Sequence, residues 1–567
     1  MSAAQHHQSA DTIIRAARII SLAPREIEGP AALCLRDGRI QAVIPDAEIS
    51  EWFGTDTKVI SLMDRVLMPG FVDPHAHSEV AAKAGHLMVD CRAPQNRDVS
   101  AVLETLRTNL HRERDGWLVG QANLFFDQKL SDRRFPTREE LDSVSTDIAI
   151  AIRAGGHLTI LNSRALELSG VDADYETVEY SITGKPSVHR DAEGRPTGVV
   201  TEMDKLLPFP ELSAAESREA LESGIRELFT ANGVTTIGEI SESLDGLRAF
   251  DDAIAEDRMH VRLHVYLWTP GTVTLEEACS HRAWADFRSS AERLRIQGVK
   301  AFSDGGYSAA RAALTKPYVF DGHSCGELAL STEEIIELAR RTQVAGLQLA
   351  IHANGDRAQL EVCEALAQVH RPPGAPRIRI EHAGNFVPDY PALSDAWQRA
   401  GIVPVPQPVF LYNFGEFIPA YLGDYAREQQ FPLRRMLDDG WPVSGSSDVW
   451  VGSEIGQTNP FLSIASAVSR RTFHDHILTP TESVSVYEAL RMHTLGGAYA
   501  LGEESTRGSL EPGKLADFIA LDADPLSIPV SKLLDISVQE VFLGGTLVYT
   551  RDDTPGMPSR MLPQHAE

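Results

Sequence analysis

Two histidines one residue apart mark where this chain could do chemistry. They stand in PGFVDPHAH, residues 69–77, as His75 and His77. At the end of a strand, positions i and i+2 face the same side. Two imidazoles placed that way make a clamp for a divalent metal; a pair of ordinary loop histidines is the alternative. A lysine follows in RIQGVKAFSDGG, where Lys300 sits in an apolar strand before a glycine-rich turn. A buried ammonium is costly, and burial lowers its pKa and frees the amine. Such an amine can take up CO₂ as a carbamate, a bidentate anion able to bridge two metals. A salt bridge from Lys300 to Asp304 or Glu239 is the alternative.

Further candidates recur at strand ends. His352 closes LQLAIH and His382 closes RIRIEH, one strand-helix-strand unit apart, which places them on neighbouring strands. Asp448, in GSSDVW, ends the last such run. A carboxylate there can ligate a metal and take a proton from water, or cap a helix. In GGHLTILNS, His157 and Asn162 could face a substrate and stabilise an oxyanion, or anchor an internal loop. Asp304, Asp356 and Arg357 follow ligand positions as supporting or helix-starting groups. Gln407 and Trp450 are candidates for lining a substrate pocket or for packing. Cys91 reads as a buried thiol before it reads as a ligand.

The elements that must position these groups show in the texture of the chain. From Asp11 to about Leu67, and again over about 505–550, short β-rich runs carry turn pairs at Asp37-Gly38 and Gly544-Gly545. Both ends are expected to build one β-sandwich domain, residues 11–67 plus 505–550. Residues 68–504 alternate apolar runs (VLMPGFVD, GVTTIGEI, RIQGVKAF, LQLAIH, RIRIEH, GWPVSGSSD) with helical stretches such as STEEIIELARRTQVAG. That alternation predicts an α/β fold, a (β/α)₈ TIM-like barrel, with an insertion within about 90–215 that covers one end. Residues 1–10 read as a disordered tip.

Composition narrows the function. Of 567 residues, 43% are hydrophobic and 23% charged, enough for a large core. The formal net charge of −27 argues against a nucleic-acid partner, which needs a basic face. Five scattered cysteines without a CxxC argue against a disulfide framework or a zinc knuckle. No run of ~18 apolar residues suggests a membrane span, and the N-terminus lacks a signal-like apolar core. The expectation is a soluble cytoplasmic protein acting on a small molecule, with a homodimer allowed.

The ordered set His-x-His, Lys, His, His, Asp resembles the binuclear, lysine-containing form of the amidohydrolase superfamily. Longer segments are similar to its amidohydrolase-3, or YtcJ-like, family, which includes N-substituted formamide deformylases. They include MPGFVDPHAHSE, GGHLTILNSRALELSGV, GRPTGVVTE, GVKAFSDGG, IHANGDRA, RIEHAGNF, VPQPVF, GSSDVWVG and GSLEPGKLADFIALDADPL. The resemblance implies that His75 and His77 hold the more buried metal and that Asp448 completes that site. It implies that Lys300 bridges as a carbamate and that His352 and His382 hold a second metal. One or two divalent ions, zinc by preference, are therefore expected. The chain departs from the family pattern at SDGGYSAAR after Lys300 and at Trp450. The implied reaction is hydrolysis of a C–N bond, an N-acyl or N-formyl amide above others. A deaminase or a cyclic-amide or ester hydrolase on the same site is the alternative, and a non-catalytic barrel scaffold a remote one.

Overall fold

The computed structural model describes residues 9–178, 185–320 and 322–551. Most of the expected N-terminal tip lies outside them. Both ends of the chain enter one seven-stranded sheet. In spatial order its strands are Thr546–Thr550, Val538–Leu543, Phe518–Leu521, Lys58–Pro69, Thr12–Ile19, Ala31–Arg36 and Arg39–Pro45. The two expected turns are there. Asp37 and Gly38, like Gly544 and Gly545, all adopt positive φ, the two-residue geometry that matches the twist of a hairpin. Cross-strand partners Phe518 and Phe542 stack at 4.4 Å over a core that includes Ile14, Leu33 and Leu67.

A second seven-stranded sheet is parallel. Its strands adjoin in chain order: Phe71–Ala76, Val234–Ser241, Arg262–Trp268, Leu294–Phe302, Gln348–His352, Ile378–Glu381 and Ile402–Val405. Nearly every residue in them is buried, as expected when helices cover a parallel sheet. The helices between them carry the anticipated end signals. Ser331 and Glu334 form a capping box on Thr332–Ala345, and Gly346 ends that helix at φ 73°. Arg262 joins the two sheets, with both carboxylate oxygens of Asp517 at 2.7 and 2.8 Å.

Two expected strands are corrected. VLMPGFVD is not one strand: it is divided at Gly70, the first half in the terminal sheet and the second in the parallel one. A side chain at Gly70 would meet Thr235 Oγ1 at 2.4 Å, so only glycine lets the chain cross there. GWPVSGSSD does not take strand geometry. Its N–H groups go elsewhere, Gly445 to the Met492 carbonyl and Ser447 to the Asp73 carboxylate. It still runs beside the first parallel strand: Asp448 N–H donates to the His75 carbonyl and His77 N–H to the Val449 carbonyl, both at 2.9 Å.

Residues within 90–215 are more regular than expected. They supply most of a six-stranded mixed sheet, in the order Ser187–Arg190, Pro196–Thr201, Leu158–Leu161, Ala149–Ala154, Trp117–Ala122, Val89–Asp90. Cys91 lies in that sheet's apolar core with Val102 and Leu106, its thiol pushed up by burial, so it is a packing residue. Among the described residues no helix is long and apolar enough to cross a membrane.

Candidate active site

Six side chains predicted from sequence meet at one end of the parallel sheet. His75 Nε2 lies 3.2 Å from Lys300 Nζ and 3.3 Å from Asp448 Oδ1. His77 Nε2 lies 3.7 Å from the same Asp448 oxygen. Ligand atoms of His75, His77 and Asp448 all fall within 4.8 Å of one another. The His352 and His382 rings are 4.5 Å apart, and His382 is 5.5 Å from His75. Strand register explains the convergence: Phe302 pairs with His352, so Lys300 lies two residues before the level of His352 and on the same face of the sheet.

The protein also sets how the rings face. Glu242 Oε1 sits 3.0 Å from His77 Nδ1 and is itself paired with Lys205. Glu381 Oε2 sits 2.5 Å from His75 Nδ1, and its other oxygen takes a 2.8 Å bond from Arg379. Arg379, fully buried, also donates to Tyr266 Oη and to the Pro74 carbonyl. His382 Nδ1 is 2.7 Å from Gln407 Oε1. Glu242 and Gln407 hold Nδ1 of His77 and His382 by hydrogen bonds and leave Nε2 for a ligand, an arrangement common among metal-binding histidines, and Glu381 lies beside Nδ1 of His75.

Electrostatics suit a cation. Burial lowers the pKa of His75, His352 and His382 well below the ordinary value, and that of His77 to about 4, so the imidazoles are neutral donors. Burial would raise Glu242, but Lys205 and His77 pull it down to about 2. Burial lowers Lys300 to about 8 and raises Asp448 to about 7. Among the described residues no carboxylate forms an ion pair with Lys300 within 4.0 Å. The two alternatives raised from sequence are engaged elsewhere. Asp304 accepts the backbone N–H groups of Ala313, Asn354 and Gly355, and Glu239 accepts from Ser78. Neutral imidazoles, a carboxylate and a deprotonatable amine, with ring nitrogens already oriented, form a donor set that fits a divalent metal.

The site opens into a cavity of about 590 Å³, its mouth included, with apolar walls from Leu124, Phe125, Phe410, Phe414 and Val451. Trp450 lines it, stacked on His77 at 3.9 Å and 17°. The indole Nε1 is buried and has no hydrogen-bond partner among the described residues. His157 also lines it, with Nδ1 2.9 Å from Glu202. Burial opposes protonation of His157, yet Glu202 outweighs it and the ring titrates above its ordinary value. Backbone strain gathers here: Phe125, Glu202, His382 and Asp448 all hold positive φ.

Two sequence candidates fall outside the cavity. Asn162 is fully buried and spent on the backbone. It accepts from Ile150 and Ala165 N–H and donates to the Ser145 and Ile148 carbonyls, so it anchors a loop and caps a helix rather than meeting substrate. Gln407 touches His382, Asn385 and Ser446 and is not among the lining residues. Sequence reasoning missed Glu202, Glu242, Glu381 and Arg379. Three had a signal: Glu202 ends the family-like segment GRPTGVVTE, and Arg379 and Glu381 are charged residues at i and i+2 of an apolar strand, hence on one face.

The inserted sheet also grips the loop after Asp448. Arg92 donates to the Ser453 carbonyl at 2.7 Å, Gln121 accepts from Gly452 N–H at 3.3 Å, and Lys129 and Asn123 both hold the buried Glu454.

Comparison with known proteins agrees with this geometry. The model of the amidohydrolase family matches residues 58–549. An N-substituted formamide deformylase from Arthrobacter pascens is 30% identical over 539 residues, covering 92% of this chain and 95% of that protein. Among solved structures, a metal-dependent hydrolase of uncharacterized function from Pyrococcus furiosus superposes with TM-score 0.65 at 25% identity, covering 91% of this chain and 100% of that one. A similar hydrolase from Pyrococcus horikoshii OT3 gives TM-score 0.67 at 23% identity, over 92% and 99% of the two chains. The chain belongs to the amidohydrolase family. It is accordingly a metal-dependent hydrolase acting on carbon–nitrogen bonds.

Proposed function

We propose that this enzyme hydrolyses an N-acyl or N-formyl amine, with His75, His77, Lys300, His352, His382 and Asp448 holding one or two zinc ions and Lys300 acting as a carbamate. The observation that carries it is the meeting of these six side chains at the foot of an apolar-walled cavity. Histidine and carboxylate donors suit zinc. The low-titrating Lys300 amine, free of a carboxylate partner among the described residues, supports the carbamate. A divalent ion held there would supply a Lewis acid and acidify water.

The chain's own residues do the rest. Asp448, placed beside the His75 and His77 rings, takes the proton of the attacking water and returns it to the leaving nitrogen. His157, its ring 6.0 Å from that of His352, would offer Nε2 to the substrate oxygen; the neighbouring Glu202 favours the doubly protonated ring, in which Nε2 is a donor. The unpaired Trp450 Nε1 can donate to the substrate's polar end, and the phenylalanine wall receives its organic arm. Gln407 serves by holding His382.

The same reading takes the parallel sheet and the Asp448 segment as one (β/α)₈ barrel over residues 68–504. The two backbone hydrogen bonds between that segment and the His75 strand support closure. The terminal strands would then form a β-sandwich domain, residues 11–67 plus 505–550. The test is a panel of N-formyl and N-acyl amines given to zinc-loaded protein, with release of the carboxylic acid measured. Ammonia release from amino-heterocycles, with no acid released from any amide, would overturn the proposal.

A further inference from the structure

His157 reaches the cavity from the inserted sheet, not from the parallel one, so something must hold it in register with Lys300 and Asp448. Glu202 is in contact with both sides. It follows the strand Pro196–Thr201, which pairs with Leu158–Leu161, and its N–H donates to the His157 carbonyl at 2.8 Å. Its φ is 53°, a left-handed conformation that a glutamate adopts only when the surroundings impose it. That turn swings the fully buried carboxylate back over its neighbour. One oxygen lies 2.9 Å from His157 Nδ1, and the other accepts Gly306 N–H at 3.1 Å. Gly306 belongs to the turn directly after the Lys300 strand. The two glycines of SDGG are what permit the approach. A Cβ on Gly305 would lie 2.4 Å from Glu202 Oε1, and one on Gly306 would lie 2.8 Å from His157 Cγ.

We infer that Glu202 is a positioning residue of this enzyme: its carboxylate, held by Gly306 N–H, fixes the His157 ring by Nδ1 and presents Nε2 to the reacting oxygen. The inference rests on the catalytic reading of His157 given above. It gives the His157–Glu202 pair the role that a carboxylate plays wherever it orients a working imidazole. It also explains why a surface-directed insertion carries a strained, buried acid at this point.

Two measurements test it. Histidine-selective ¹⁵N spectra, with the His157 signal assigned by its loss in His157→Gln, read which nitrogen keeps the proton of the singly protonated ring. The proton is expected on Nδ1 in the natural protein and on Nε2 in Glu202→Ala; a proton on Nε2 in the natural protein overturns the inference. The second measurement is turnover of 4-nitroformanilide by zinc-loaded protein. Glu202→Ala should lower kcat by ~10–100-fold with KM little changed. Glu202→Gln, which still offers an acceptor oxygen, should lose less. In a His157→Ala background, Glu202→Ala should cause no further loss. A full additional loss there would mean that Glu202 acts on the fold and not through His157, and would end the inference. If His157→Ala itself turns over normally, the catalytic reading of His157 falls, while the ¹⁵N result still decides where Glu202 holds the ring.

Discussion

Asp448 meets His75 twice. Its N–H donates to the His75 carbonyl at 2.9 Å, and its carboxylate lies 3.3 Å from the His75 ring. The first contact sets the second. With the two backbones joined, the left-handed turn at Asp448 (φ 46°) aims its side chain between His75 and His77.

Asp448→Asn keeps that size and backbone and removes the proton acceptor. Turnover should fall by ~10²–10⁴-fold, the usual worth of a general base. Near-normal kcat in Asp448→Asn would rule out its proton-transfer role.

Lys300→Ala removes the proposed bridge. Metal content should drop and activity collapse, and acetate or propionate should restore part of both by occupying the vacated position. Lys300→Arg should not respond, since guanidinium keeps its charge and fills the space. Metal analysis and kinetics on both variants decide this, and full zinc loading with normal turnover in Lys300→Ala would refute the bridge.

Glu242→Gln leaves the His77 ligand in place and weakens what orients it. Zinc affinity should fall by ~10–100-fold, as for other outer partners of metal-binding histidines. Competition with a fluorescent chelator measures it; unchanged affinity would mean that Glu242 serves only Lys205.

Gly306→Ala places a methyl group against His157, where an added Cβ would lie 2.8 Å from Cγ. The ring must shift, so kcat should fall while zinc content stays full. Equal kcat in the alanine variant would show that His157 has room to spare.

Acid stability should depend on Asp517. Burial would raise its pKa, but Arg262 more than offsets this, so the carboxyl titrates below its ordinary value when folded. A depressed folded pKa gives stability that is present above the unfolded value, ~3.9, and lost as pH falls through the folded one. Asp517→Asn should lack that component above about pH 4 and show no acid-linked loss of it, so the two proteins converge as pH falls. At neutral pH it should be destabilised by at most ~3–5 kcal/mol, because Arg262 loses its buried partner and keeps only the half-exposed Glu292 at 3.0 Å. Denaturant melts of both proteins between pH 3 and 7 check both parts; identical pH slopes would count against the linkage.

That the site's side chains would meet was legible because a parallel strand delivers its last residues to one end of a sheet. His75, His77, Lys300, His352, His382 and Asp448 could each be named from an apolar run and what ends it. The hairpins at Asp37-Gly38 and Gly544-Gly545 were legible for a similar local reason, since few residue pairs tolerate positive φ in succession. The strand expected in GWPVSGSSD was not found, because its N–H groups are claimed by a side chain and a helix carbonyl that no local pattern reveals.

Sequence alone, then, determined the kind of chemistry: which atoms can bind a metal, in what order along the chain, and at which ends of which runs. Tertiary structure decided their partners. Asn162 turned inward to a loop, Gln407 went to His382, Trp450 stacked on His77, and Glu202 came to His157. The physical reason is range. Strand period and residue type act over a few neighbours, whereas the contact of Glu242 with His77, or of Glu454 with Lys129, joins segments far apart in the chain and exists only once three sheets have packed.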